Sequence, residues 1–255
     1  MTRSPVDRRA PAPAAADVGI VIAMAIEAGY LFDSLKRVRR YSARSTTITE
    51  GELCGKLVAV ILTGPGKVAA RRGAELLIAG HRPRWIISAG FAGALDPSLA
   101  RNDLVVPGEV ADLTGEVIVL DRSVFTVPPF VRTGGRLLSV DRVITRAAEK
   151  AELRRARGAD LIDMETSAVA MLARERSLRF LSLRVISDDA TVELPSEVAS
   201  LLSHSGSYRL GTALRAIWRR PGAIGDFWTL HAQALEASDR LARCLNRLLE
   251  VLPPA

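Results

Sequence analysis

Acidic side chains stand at two points of the stretch 160–190, where residue types and spacing could support proton-transfer chemistry. Asp163 and Glu165 precede a run in which apolar residues recur at helical spacing. Asp188 follows the apolar run 180–186, which predicts a buried strand. In an open α/β sheet, ligands bind beyond the carboxyl ends of the strands. Two carboxylates brought there by separate elements could divide the work, one binding a substrate and the other moving a proton.

A third carboxylate, Glu27, lies where the apolar run 18–23, a predicted strand, passes into a predicted helix at 28–37. A carboxylate in this position can serve as a catalytic base. It can equally stabilise the positive end of the helix dipole without any role in catalysis. The residues alone leave both interpretations open.

A glycine turn, 63–67, connects the predicted strand 56–63 to the predicted helix 68–79. Gly64 and Gly66 could present backbone N–H groups to phosphate or to another nucleophile at the helix N-terminus. The turn is not a Walker loop, because the spacing and the final Ser or Thr are missing. A tight turn without a ligand is the alternative.

Small residues follow the predicted strand 83–88, in the segment 89–93. Their size lets a ligand approach the backbone closely, which makes Ala92 and Gly93 candidate substrate contacts. Phe91, within the same segment, could stack on a planar ring. An ordinary place in the hydrophobic core is the alternative for Phe91.

The remaining pattern predicts an α/β domain with a loop at 122–133 that could overhang the site. Further strands are predicted at 46–52, 103–107, 116–120 and 136–140. Further helices are predicted at 144–155, 210–219 and 224–252.

The chain has 255 residues, of which 48% are hydrophobic, enough to bury the core of one large domain. We predict a disordered Pro/Ala-rich tail at 1–16 and a single domain at 17–255, with a C-terminal helical extension from about residue 208. Cys54 and Cys244 are far apart and lack metal-ligand spacing. A reducing, cytoplasmic location without disulfides or a metal site is therefore expected.

The net charge of +7 permits nucleic acid, an anionic lipid surface or an anionic small molecule as partner. The aromatic content of 5%, without interleaved basic residues, argues against a base-stacking platform, so no nucleic acid partner is expected. A solvated basic surface accounts for the charge by itself. The predicted helix 210–219 has an apolar side and an arginine side, which favours packing on the domain over contact with the inner face of a membrane.

Four segments together resemble the nucleoside phosphorylase and nucleosidase superfamily: 19–28, 62–70, 88–107 and 162–190. Their order and spacing are similar to the methylthioadenosine/S-adenosylhomocysteine nucleosidase branch. The resemblance implies an α/β fold of three layers, α/β/α, around a mixed twisted central sheet, in a homo-oligomer. It also implies an enzyme that cleaves a base–ribose bond without a cofactor, with inorganic phosphate as a candidate co-substrate.

The resemblance also implies roles for individual residues. The family's ribose-binding pair falls on Met164 and Glu165, and its water-activating glutamate falls on Glu27. The aspartate that protonates the purine falls on Asp188, directly after Ser187.

Two positions depart from the family pattern. Phe91 stands where the nucleosidases often have Ser, and Val143, which would line the base, stands where an aromatic residue is common. The arginine pattern that binds phosphate in trimeric phosphorylases is not recognisable. Water and phosphate therefore both remain candidate nucleophiles.

Residues 206–228 resemble the C-terminal region of hopanoid-associated phosphorylases, a group that removes adenine from adenosylhopane in hopanoid lipid synthesis. We therefore predict a 5′-substituted adenine nucleoside as substrate, with adenosylhopane favoured. A methylthioadenosine/S-adenosylhomocysteine-type nucleosidase is the alternative. A non-catalytic module that binds a nucleoside or lipid is the alternative of a different class.

Overall fold

The computed structural model describes residues 13–43, 46–121, 123, 126–194 and 223–253. Within these ranges twelve strands form one sheet. The strands are β1 (Val18–Ile22), β2 (Lys36–Ala43), β3 (Thr46–Leu53), β4 (Lys56–Leu62), β5 (Trp85–Ala94), β6 (Leu104–Val106), β7 (Glu109–Asp112), β8 (Val117–Val119), β9 (Arg132–Thr133), β10 (Arg136–Ser139), β11 (Leu161–Asp163) and β12 (Arg179–Asp188). The helices are α1 (Ala25–Ser34), α2 (Lys67–His81), α3 (Ala147–Arg157), α4 (Thr166–Glu175) and α5 (Ala223–Val251).

Helices cover both faces of the sheet. Successive residues of a strand point to opposite sides, and in the central strand β1 the residues on both sides are buried. In β1, Val18 and Ile20 join a core that contains residues of α1 and α5. Val21, on the other side, joins a second core with residues of α2 and α4. The sheet contains both parallel and antiparallel pairs. These layers confirm the predicted α/β/α fold with a mixed central sheet.

The strand β5 organises the part of the sheet that carries the predicted functional residues. It pairs in parallel with β1 on one side and with β12 on the other. The strand β11 pairs antiparallel with Gly93 and Ala94 at the end of β5. The chain that leaves β11 therefore runs back toward the middle of β5, where β1 also ends.

The predicted secondary structure differs from the structure at several places: β7, β9 and β11 have no counterpart among the predicted strands, and β9 falls within the predicted loop 122–133. The predicted helix 28–37 is α1, which ends at Ser34, and β2 follows without a counterpart among the predicted strands. Most residues of β2 are exposed, so no apolar alternation marks this edge strand. The strand β5 continues beyond residue 88 because its small residues keep pairing with β12.

Ala14 and Ala16 contact the folded domain, although the predicted disordered tail extends to residue 16. Ala16 is buried, and its N–H donates to the carbonyl of His81 at 2.7 Å. The predicted helix at 210–219 lies outside the described residues. The predicted helix at 224–252 is α5, whose apolar residues, such as Leu241 and Leu245, pack in the core beside α1. Among the helices of the described ranges, none has the length and apolarity needed to cross a membrane.

Candidate active site

Three carboxylates and one arginine meet beside the middle of β5, where β1 and β11 end. Glu27, Asp163 and Arg184 are buried, and Glu165 is partly buried. Their charges act on one another: Arg184 lowers, and Asp163 raises, the pKa of both glutamates. In the part of the chain that the structure describes, no group of His, Cys, Asp or Glu side chains is arranged to hold a metal ion.

Glu27 lies in the first turn of α1, and each of its carboxylate oxygens accepts one backbone N–H. Oε2 accepts the N–H of Met24 and Oε1 accepts the N–H of Phe91, both at 2.8 Å. Burial raises the pKa of Glu27, although the N–H of Phe91 and the guanidinium of Arg184 act in the opposite direction. The side chain thus supports the helix N-terminus, which is the non-catalytic interpretation given for Glu27. Each oxygen also retains a lone pair that can accept a hydrogen bond from a further donor.

Arg184, on β12, is a residue of this buried group that the sequence analysis missed. It is 2% exposed, and its Nη2 donates to Ser88 Oγ at 2.6 Å and lies 2.9 Å from Asp163 Oδ2. A buried guanidinium requires such a partner, because an unpaired charge in a protein interior is costly. The available signal was an arginine inside the mostly apolar run 180–186, since a guanidinium in a buried strand predicts a carboxylate elsewhere in the fold.

Gly90 makes room for this group of charges. A Cβ at this position would lie 2.5 Å from Arg184 Nη1 and 2.7 Å from Glu27 Oε1. The small residues of β5 therefore admit protein side chains close to the backbone, in addition to any ligand.

Gly90→Ala is expected to lower both stability and activity, because the added methyl group must displace Arg184 or Glu27. Overpacking of this kind costs about 1–3 kcal/mol of unfolding free energy. Urea unfolding and a rate assay check the two effects. Gly80→Ala in α2 is the matched control, since its Cβ would meet nothing within 4 Å. Unchanged stability and activity in Gly90→Ala would contradict the packing described for Gly90.

Asp163 is buried and caps the start of α4. Its Oδ2 accepts the N–H of Thr166, the first residue of α4, at 3.0 Å, and also accepts the Thr166 hydroxyl. Its Oδ1 accepts the hydroxyl of Ser139 at 2.6 Å. Asp163 therefore fixes the start of α4 and, through its ion pair with Arg184, the centre of the site.

Glu165 lies directly before α4 and reaches the start of α2. Its Oε1 accepts the N–H of Gly66 at 2.6 Å, and its Oε2 accepts the N–H of Met164 at 3.2 Å. Burial, with a further contribution from the negative charge of Asp163, raises the pKa of Glu165 to about 8. Ionised Glu165 would therefore be stabilised by a positive charge placed beside it.

Glu165→Gln is expected to change how the stability of the ligand-free protein depends on pH. In the folded chain the pKa of Glu165 lies above its ordinary value of 4.5, so the unfolded chain ionises this carboxyl at a lower pH than the folded chain. The contribution of neutral Glu165 to the stability of the folded chain is therefore fully present below pH 4.5 and is lost as the pH rises to about 8. Glutamine cannot ionise. Between pH 4 and pH 8 the unfolding free energy of the variant should therefore rise, relative to that of the wild type, by on the order of 2–4 kcal/mol.

Urea unfolding of both proteins at several pH values measures this difference. Glu152→Gln, at an exposed position of α3, is the control. A difference between wild type and Glu165→Gln that stays constant from pH 4 to pH 8 would contradict the raised pKa.

A β-bulge turns Asp188 toward the site. The register of β12 on β5 shifts between residues 186 and 188, so Ser187 is the extra residue. Asp188 Oδ1 lies 2.6 Å from Ser187 Oγ, and Oδ2 accepts a hydrogen bond from Lys150 Nζ at 2.6 Å. The carboxylate lies against Gly93, where a Cβ would be 3.1 Å from Oδ2. The bulge and the glycine together set the direction of this carboxylate.

The other predicted substrate contacts lie on the same elements. Phe91 is partly buried and packs against the core beneath α1 and α5. Ala92 is buried, and Met164 packs partly against the core that contains Leu138. Val143 is partly buried between β10 and α3. Substrate contact by these residues stays a prediction, and Phe91 has at least the core role given as its alternative.

The two glycine N–H groups predicted to bind phosphate are already engaged. Gly64 donates to the carbonyl of Ala23 at 2.9 Å, and Gly66 donates to Glu165. Both glycines have a φ in the left-handed region, +79° and +96°, which explains their place in this turn. The turn thus binds a carboxylate of the protein itself, and phosphate would have to displace that carboxylate from Gly66.

The chain is similar to known proteins in sequence and in fold. A sequence model of the "Phosphorylase superfamily" matches residues 17–118 and 119–210. The chain is 28% identical over 197 residues to a 5′-methylthioadenosine/S-adenosylhomocysteine nucleosidase of Baumannia cicadellinicola subsp. Homalodisca coagulata, which covers 68% of this chain and 86% of that protein.

Solved structures show the same fold. The 5′-methylthioadenosine/S-adenosylhomocysteine nucleosidase of Neisseria meningitidis, in complex with methylthio-immucillin-A, has a TM-score of 0.69 and 21% identity, covering 91% of this chain and 98% of that chain. The nucleosidase of Streptococcus pneumoniae, in complex with 8-aminoadenine, has a TM-score of 0.71 and 20% identity, covering 92% and 100%.

Proposed function

The chain belongs to the phosphorylase superfamily, and we propose that it releases adenine from a 5′-substituted adenine nucleoside by the attack of water on C1′. One observation carries this proposal. A carboxylate on the β12 bulge, Asp188, and the group of Glu27, Glu165 and Arg184 lie around one strand, β5. The general acid that protonates the leaving base is thereby kept apart from the carboxylates that can stabilise the sugar cation and activate the nucleophile.

Asp188 is the proposed general acid. An N-glycosidic bond breaks most readily when the base leaves as a neutral molecule, so a proton must reach N7 of the purine as the C1′–N9 bond breaks. The carboxyl of Asp188 supplies that proton and becomes a carboxylate. Ser187 and Lys150, each 2.6 Å from one oxygen, hold the group in a fixed direction.

Glu165 is the proposed partner of the ribose. The sugar becomes cation-like as the glycosidic bond lengthens, as in other glycosyl transfers. Ionised Glu165 is disfavoured in the free protein by burial and by Asp163. A developing positive charge removes part of that cost only in the transition state, which is the difference that accelerates a reaction.

Glu27 is the proposed base for the attacking water. Its two oxygens each accept one N–H, which fixes the carboxylate while leaving lone pairs for a water molecule. The water oxygen bonds to C1′ and its proton passes to Glu27. Arg184 keeps the neighbouring carboxylates in place through its ion pair with Asp163.

Electrostatics favours water over phosphate as the nucleophile. Three carboxylates, Glu27, Asp163 and Glu165, share one buried cation, Arg184. A phosphate ion would add further negative charge to this group and would have to compete with Glu165 for the N–H of Gly66. A neutral water molecule meets neither obstacle.

The substrate is proposed to be of the methylthioadenosine/S-adenosylhomocysteine type, the alternative named from the sequence, because the relatives carry that name. The preference for adenosylhopane depends on 206–228, most of which lies outside the described residues. It stays a second candidate, and contact with a membrane and assembly into a homo-oligomer stay predictions. The grouping of Glu27, Glu165 and Asp188 around β5 supports an enzyme over the binding-module alternative.

A substrate panel tests the proposal. Purified protein is incubated with methylthioadenosine, S-adenosylhomocysteine and an adenosine with a long 5′-alkyl chain, and free adenine is measured by chromatography. Rapid release from the first two supports the nucleosidase proposal. Preference for the alkyl substrate would instead support the lipid-linked candidate. No release from any of the three would contradict the proposed function.

A further inference from the structure

Lys150 is a lysine of α3 with a fully buried side chain. Its Nζ donates to Asp188 Oδ2 and to the carbonyl of Asp189, each at 2.6 Å, and to the carbonyl of Val192 at 3.2 Å. An ammonium group has three N–H donors, so these acceptors satisfy it completely. The acidic partner comes from the end of another element, β12.

This burial needs a reason, because α3 is rich in charged residues and a lysine is normally solvated. Removing an ammonium from water is costly unless a carboxylate and further hydrogen bonds replace its hydration. Both are present, and they connect α3 to the residue proposed as the general acid. The two carbonyl bonds also hold the segment 189–192, which continues from Asp188.

We propose that Lys150 is a positioning residue for the proton donor Asp188, an inference that rests on the proposed function. The hydrogen bond to Oδ2 fixes one carboxyl oxygen while Ser187 fixes the other, so the carboxyl is held in one orientation and its acidic proton occupies a remaining oxygen lone pair. Asp188 acts as the acid in its protonated form, and when that proton passes to N7 the ion pair between its carboxylate and the ammonium 2.6 Å away forms again. Lys150 keeps its own protons and stabilises the carboxylate.

Lys150 should therefore matter only when the leaving group needs a proton. A purine nucleoside needs one, whereas 4-nitrophenyl riboside releases a weakly basic anion and does not. In Lys150→Met the ratio of the rate with methylthioadenosine to the rate with the nitrophenyl riboside should fall by about 10- to 100-fold, mainly through kcat. Both rates come from the same preparation, so the ratio does not depend on how much of the variant is folded.

Three further proteins complete the experiment. Lys150→Arg keeps the cation and should restore part of the ratio, and the exposed Lys36→Met should leave it unchanged. In an Asp188→Asn background, Lys150→Met should have little additional effect on the methylthioadenosine rate, since residues that act through one another are not additive.

An unchanged ratio in Lys150→Met would overturn the inference, as would an equal further loss in the Asp188→Asn background. A purely structural role would lower both substrate rates together and leave the ratio constant. Failure of the proposed function is a separate result. In that case the wild type itself would release no adenine, whereas an active wild type with an unchanged variant ratio overturns only the role of Lys150.

Discussion

Asp188→Asn is expected to lower kcat for adenine release by about 10²- to 10⁴-fold, the usual contribution of a general acid. Asparagine keeps the shape of the side chain but has no acidic proton for N7. KM should change little, since most contacts with the bound nucleoside remain. Steady-state kinetics with methylthioadenosine and with 4-nitrophenyl riboside measures the effect, and the second substrate should be cleaved at nearly the wild-type rate.

Asp121→Asn is the matched control for this substitution. Asp121 is exposed, and like Asp188 it accepts a hydrogen bond from a nearby serine at 2.6 Å, here Ser123. Near wild-type kinetics are expected for it. If Asp188→Asn kept near-full activity on methylthioadenosine, Asp188 would not be the acid.

Glu27→Gln is expected to lower kcat by about 10²- to 10⁴-fold, because the amide cannot take a proton from water. A base acts in its ionised form, and burial raises the pKa of Glu27, so wild-type activity should increase with pH through a value above 4.5. That increase should disappear in the variant. The pH dependence of kcat/KM for both proteins measures this.

The amide must also give up one of the two N–H bonds that Glu27 accepts, so the melting temperature is measured in parallel. Glu175→Gln, at an exposed position of α4, is the control and should behave like the wild type. Full activity of a folded Glu27→Gln protein would leave only the helix-stabilising interpretation for Glu27.

The positions of the carboxylates could be predicted from the sequence because they stand at junctions between elements. Glu27 follows an apolar strand, Glu165 precedes a helix, and Asp188 follows another strand. Parallel strands in an α/β sheet bring such ends together. The resemblance of four segments to a known family then assigned a separate proposed role to each carboxylate, which hydrophobic periodicity cannot do.

The cations of the site could not be predicted in the same way. Lys150 belongs to a helix that looks solvated, and its partner lies 38 residues away along the chain. Arg184 was counted within an apolar strand, and its partner Asp163 lies on another strand, β11. Burial of each cation depends on which carboxylate the fold places beside it, which is a tertiary property. The bulge at Ser187 likewise depends on pairing with β5 rather than on local sequence.

The dependence on phosphate tests the central claim most directly. Purified protein is incubated with methylthioadenosine in phosphate-free buffer and in buffer with added phosphate, and adenine and the sugar product are identified by mass spectrometry. We expect equal rates in both buffers and a free 5-methylthioribose product. Release that requires phosphate and gives the sugar 1-phosphate would contradict attack by water and show the protein to be a phosphorylase.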